Sequence, residues 1–253
     1  MKNKRNGDIT LSQTVLIVGI VALVLFAIVL VPFYKSYKQK VAVVKYQKIY
    51  AQLQQANRMY SLVSGEPMNK YNTNLPINEF AETYFTPYLQ ISEYCKGKQD
   101  SCWNTPQYKD LANSPKSNIS LYSIILDGNE TIGFHKNRQG LMTMVVDTDG
   151  KIGENKLGKD IFILSFYDNE NRPKLCDDKA YQEKNIANGI HFGGYDKCGI
   201  PQDTYNYEDL ISKNFFDSCN KKAKTDNEIG LGAGAGCGAL LRVSNWAIGN
   251  KYP

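Results

Sequence analysis

Between residues 147 and 160 the chain concentrates oxygen donors: Asp147, Asp149, Glu154, Asn155 and Asp160, with Gly150 directly after the first pair. Two carboxylates two residues apart, a glycine that permits a tight turn, and further side-chain oxygens close behind make up the donor set that a hard cation such as calcium requires. The spacing is not that of an EF-hand, whose loop has Gly at position six and Glu at position twelve. Counted from Asp147, Gly150 is fourth and the twelfth residue is Gly158. The same residues also suit a turn in which carboxylates cap backbone amides. Calcium and a self-capped turn are both open expectations for this loop.

Six cysteines form the second group: Cys95, Cys102, Cys176, Cys198, Cys219 and Cys237. An even count, confined to the part of the chain that follows a long apolar segment, points to disulfides in an oxidising compartment. Six cysteines allow 15 pairings. Sequence neighbours are the expected partners, because short loops close at the lowest entropic cost. Zinc fits poorly: no pair has a C-x2-C or C-x4-C spacing, and His135 and His191 are the sole imidazoles. Neither histidine lies near a nucleophile motif, and G-x-S-x-G and H-E-x-x-H do not occur, so no catalytic residue is expected and the chain does not look like an enzyme. The glycine-rich stretch from Gly230 to Gly238 follows Lys221-Lys222-Ala223-Lys224-Thr225-Asp226-Asn227, which is no strand. It is expected to be a packed loop beside a disulfide, not a dinucleotide fingerprint. A net charge of +5 is too small to indicate a nucleic-acid partner.

These groups need elements to hold them. Residues 9–34 carry no charge and include the unbroken apolar run from Leu23 to Val31. As a helix they would span about 39 Å, against about 30 Å for a hydrocarbon core. The run is too long for a secretory signal and ends in Val31-Pro32-Phe33-Tyr34-Lys35, with no small-x-small cleavage site. Residues 1–8 form a basic leader with Lys2, Lys4 and Arg5, which places the N-terminus in the cytoplasm and the bulk of the chain outside. Residues 35–64 continue as an amphipathic helix. Its apolar face is read as Val41, Val44, Ile49, Leu53, Ala56, Tyr60 and Val63, opposite Lys38, Lys40, Lys45, Lys48, Gln52, Gln55 and Arg58. The remainder, 65–253, is expected to be one globular head. A short helix is expected over 78–85, and strands over 119–126, 141–146 and 161–166, with turns at Asp127-Gly128 and Asp149-Gly150. The predicted class is α+β: a long N-terminal helix, half membrane and half amphipathic, laid on a small antiparallel sheet and stapled by disulfides.

The run Thr10-Leu11-Ser12-Gln13-Thr14-Val15-Leu16-Ile17-Val18-Gly19-Ile20-Val21 resembles the N-terminal segment of type IV pilins and type II secretion pseudopilins. Tyr37-Lys38-Gln39-Lys40-Val41 with Tyr50-Ala51-Gln52-Leu53-Gln54-Gln55-Ala56 is similar to the outer half of the helix in bacterial prepilin-type proteins. Asp147-Thr148-Asp149-Gly150 with the segment from Glu154 to Phe162 resembles their Asp-x-Asn-Gly and Gly-x-Asp stretch. Cys237-Gly238-Ala239-Leu240-Leu241 with Asn245-Trp246-Ala247-Ile248 resembles their C-terminal signature.

The resemblance implies a single-pass protein of the bacterial inner membrane, its head periplasmic or extracellular. Its partners would be other pilin-like subunits through the N-terminal helix, an inner-membrane assembly platform and membrane lipid. It also implies calcium at the 147–160 loop, and peptidase processing with methylation of the new N-terminus. Two positions depart from the pattern. The peptidase cuts after Gly, but the register places Asp8 there, before Ile9, with Gly7 one residue early; and Gln13 stands where the family has Glu, whose carboxylate neutralises a neighbour's N-terminal amine. An amide cannot supply that charge. The expectation is therefore a minor filament component. The alternative is a membrane-anchored exported protein, adhesin or tethered enzyme, that does not assemble.

Overall fold

The computed structural model describes residues 11–96, 102–103, 107–117, 122–225 and 231–253. The chain divides into two compact units, Met1–Val41 and Ala42–Pro253. Helix α1 runs from Leu11 to Ser64 with Pro32 inside it. It stops at Gly65, whose φ of 74° lets its N–H bond the carbonyl of Ser61, the left-handed C-terminal cap that glycine favours. In the first unit the large apolar side chains, Leu16, Val18, Ile20, Val21, Leu23, Val24, Leu25, Phe26, Ile28, Leu30 and Val31 among them, are roughly half to two-thirds exposed. This is a helix long and apolar enough to cross a membrane.

In the second unit α1 turns the predicted Ile49, Leu53 and Ala56 inward, but its stripe differs from the prediction on the side toward the N-terminus and at its end. Ala42, Val43, Tyr46, Ile49, Leu53 and Ala56 are buried, whereas Val44 and Val63 are 62% and 71% exposed. Tyr46 displaces the register: its ring stacks on Phe162 at 4.5 Å and its hydroxyl donates to the carbonyl of Ile163 at 2.6 Å. A tyrosine whose polar tip finds a backbone acceptor is a core residue, and it carries the stripe half a turn away from Val44.

The head is α+β. Helix α2 (Ile77–Tyr84) matches the expected short helix, and its Phe80, Ala81 and Tyr84 are buried beside α1. A six-stranded sheet has the order β1-β4-β5-β6-β7-β8, every pair antiparallel, with β1 Ile91–Lys96, β4 Tyr122–Leu126, β5 Thr131–Lys136, β6 Met142–Asp147, β7 Ile161–Tyr167 and β8 Gly189–Phe192. Strands β2 (Gln107–Lys109) and β3 (Pro115–Ser117) form a separate ribbon. Short helices α3 (Asp178–Gln182), α4 (Tyr207–Ile211) and α5 (Cys237–Val243) follow β7 in the chain.

Expected strands appear as β4, β6 and β7, all with every residue buried. Both sheet faces are covered, which produces unbroken apolar runs instead of alternation. Met142, Met144 and Val146 of β6 face α1 and α2; Val145, between them, joins Ile125, Ile161, Ile163, Trp103 and Leu157 on the other face. The three disulfides pair sequence neighbours, Cys95–Cys102, Cys176–Cys198 and Cys219–Cys237.

Candidate functional site

The acidic loop joins β6 to β7. Its base is closed by the N–H and hydroxyl of Thr148, which both donate to the carbonyl of Asp160 at 2.9 Å. Asp147 accepts through Oδ1 from the N–H groups of Asp149 (3.2 Å) and Gly150 (2.9 Å). Gly150 has φ 67°, and a Cβ there would collide with the carbonyl oxygen of Asn129, so the tight turn needs glycine twice over. Across the loop, Asp160 accepts from Glu154 N–H (3.2 Å) and Asn155 N–H (3.1 Å) through Oδ2 and from Lys156 N–H (2.6 Å) through Oδ1. Asn155, at φ 48°, passes its carbonyl to the N–H of Lys109 at 2.7 Å.

Of the five predicted ligands the loop thus draws together Asp147, Asp149 and Asp160. Asn155 is buried beside them, while the Glu154 side chain is exposed and only its N–H serves the loop. Burial, then the neighbouring Asp149 and Asp160 carboxylates, holds the Asp147 carboxyl well above the usual range. Its Oδ2 is buried with no hydrogen-bond partner. Burial likewise raises Asp160, against the backbone amides that lower it. Among the described residues no three His, Cys, Asp or Glu side chains are grouped as metal ligands would be. The loop displays the self-capped chemistry, with Asp147 Oδ2 receiving no N–H donor.

Gly7, Asp8 and Ile9 lie outside the described residues, and Gln13 occupies the first turn of α1. The glycine-rich stretch, from Leu231 on, is a packed loop. Asp217 Oδ2 accepts from the N–H groups of Leu231 (2.6 Å) and Gly232 (3.2 Å), and the Cys219–Cys237 disulfide closes the segment. Burial pushes the Asp217 carboxyl up to about 6, although the Thr225 hydrogen bond, the two amides and Lys116 pull it down.

The histidines separate. His135 on β5 faces Thr143, and burial lowers its pKa. His191 on β8 holds Asp203 Oδ1 at 2.9 Å from Nδ1 and the carbonyl of Ala187 at 2.9 Å from Nε2. Two acceptors on one ring require two N–H donors, so the ring is imidazolium. Burial opposes that charge, but the Asp203 hydrogen bond, its field and the Ala187 carbonyl outweigh it and raise the pKa. Asp203 also accepts from Phe192 N–H at 2.9 Å through Oδ2. Nε2 is engaged by a carbonyl, and Ser165, opposite His191 on β7, is fully buried. The pairing had no signal in the chain, since its partners are twelve residues apart across a loop. No family model, no curated protein and no solved structure matches this chain.

Proposed function

We propose that the chain is a pilin-like, pseudopilin-type subunit of a type II secretion or type IV pilus-like filament, anchored by one membrane pass with its head outside the bacterial inner membrane. The observation that carries this reading is helix α1, an unbroken 54 residues whose first part is apolar and exposed and whose second part supplies a wall of the head's core. Such a helix can trade lipid for neighbouring helices without refolding the head, because the apolar surface that dissolves in the bilayer is also the surface that packs in a filament. The partners are other pilin-like subunits and an inner-membrane assembly platform. Gln13 in place of a carboxylate makes the chain a minor component, since a neutral amide leaves an N-terminal amine without its counter-charge each time the contact repeats.

The acidic loop is proposed to take calcium. A cation beside Asp147 Oδ2 would supply the partner that oxygen lacks and favour the ionised forms of Asp147 and Asp160.

The test is native filaments sheared from their cells, with quantitative mass spectrometry and N-terminal sequencing of each subunit. The chain should be present well below the most abundant subunit. Its presence as the bulk subunit would refute the minor role, and its absence, with the protein recovered in the membrane, would leave a tethered, non-assembling protein. Gln13→Glu with Asp8→Gly should raise both processing and incorporation.

A further inference from the structure

Beside the edge strand β8 lies a cleft of about 540 Å³, within the range of small-molecule sites. His191 comes from β8, Asp203 and Thr204 from the single turn at Gln202–Thr204, Arg242 and Val243 from the last turn of α5, and Asn245 from the segment after it. The charges do not cancel. His191 is cationic because acceptors face both its nitrogens, and it is spent on Asp203 at 2.9 Å. Arg242 is exposed and has no ion-pair partner among the described residues. One positive charge is left over, on a guanidinium whose planar fork matches a carboxylate.

The other polar groups chiefly accept. Thr204 donates its hydroxyl proton to the carbonyl of Pro201 at 2.8 Å, so its oxygen has lone pairs left for an incoming donor. Each Asp203 oxygen takes one protein N–H, from His191 and Phe192, and a carboxylate has about four acceptor sites. Asn245 adds an exposed amide. A ligand that satisfies this wall brings one negative charge for Arg242 and several hydroxyl protons for Thr204, Asp203 and Asn245. A dianion would leave surplus charge beside Asp203. A simple acid would leave the acceptors to water, and a neutral sugar would leave the guanidinium to water.

We propose that this cleft binds a polyhydroxylated monocarboxylic acid of the hexuronic-acid class, its carboxylate on Arg242 and its hydroxyls on Thr204 and Asp203. The free acid and the end of an acidic polysaccharide share that chemistry. The proposal does not depend on filament assembly.

The chain has two histidines, so ring signals report both places by NMR on the full-length protein in detergent micelles. Sodium glucuronate should shift the His191 signals saturably in the millimolar range and leave those of His135, three strands farther into the sheet, unmoved. Glucose, acetate and inorganic phosphate should each bind at least tenfold more weakly. Arg242→Gln should weaken glucuronate at least tenfold with the His135 signals unchanged, and Arg242→Lys should recover part of the loss. Trigalacturonate binding more tightly than galacturonate would assign the site to a polysaccharide, and equal binding would assign it to the free acid. Glucuronate no better than acetate, phosphate as tight as glucuronate, or Arg242→Gln without effect would each overturn the proposal.

Discussion

Mild acid should stabilise this head through Asp217, and Asp217→Asn should remove that gain. The side chain is 2% exposed, and it ties the glycine-rich loop through Leu231 and Gly232. Desolvation puts its folded pKa at about 6, above an unfolded value near 3.8. A raised folded pKa means that the native state holds the proton more tightly. The contribution is therefore fully present below the unfolded value and is lost as pH rises through 6. A gap of about two pH units is worth about 3 kcal/mol. Other groups titrate as well: the raised pKa values of Asp147, Asp160 and His191 act in the same direction, and the lowered His135 opposes them. Comparing wild type with Asp217→Asn cancels these. Asparagine keeps a carbonyl oxygen for the two amides and carries no charge at any pH. Urea unfolding of the full chain in micelles, followed by tryptophan fluorescence, gives both stabilities at each pH. Relative to the variant, wild type should gain about 3 kcal/mol between pH 7.5 and pH 3.5. A flat difference, or a variant that loses most at neutral pH, would refute the reasoning.

Calcium at 100 times its dissociation constant should add about 2.7 kcal/mol by mass action, and Asp149→Ala should abolish the gain; melting curves identical in calcium and chelator would leave the self-capped turn alone. Gly150→Ala should destabilise the head by more than the roughly 1 kcal/mol of a left-handed residue, because a Cβ strikes the carbonyl of Asn129; a loss under about 0.5 kcal/mol in urea would show that the turn yields. Glu130, with a side chain 3% exposed, sits 3.7 Å from Lys45, which also donates to the carbonyl of Thr148 at 2.9 Å. Lys45→Met should therefore cost about 1 to 3 kcal/mol, and adding Glu130→Gln should restore part of it, as a double-mutant cycle would read.

The parts legible in the chain are those governed by near neighbours. Cysteine pairs 7 to 22 residues apart, each with its neighbour in sequence, are one case, and β4, β6 and β7, whose apolar runs bury both faces, are another. Strand β5 is not legible in the chain, because Gly133, His135 and Lys136 dilute its pattern; the cross-strand pairs His135–Thr143 and Gly133–Val145 make it a strand. Strand β8 has four residues, too few for a period to show. The face of α1 is not legible at Val44, because Tyr46, polar by type, is buried by a sheet more than 100 residues away. In the acidic loop the donors were legible. Their use was not: Asp160 spends both oxygens on backbone N–H groups, which residue types do not announce. The cleft is illegible for the same reason, as its charge balance exists only once β8, the Gln202–Thr204 turn and α5 meet.

The disulfides span separations of 7, 22 and 18 residues, and no bridged loop contains a cysteine of another. From Cys102 to Cys176, the stretch that supplies β2 to β7, there is no cysteine at all. A chain entering an oxidising compartment from its N-terminal side therefore meets its thiols in matched couples. Each couple can close before the next emerges, so the first available partner is always the native one. Oxidation in order of arrival then needs a donor of oxidising equivalents and no enzyme to reshuffle wrong pairs. The central strands meanwhile pair free of any covalent constraint, and they can correct a slipped register until the last two bridges fasten the periphery around them.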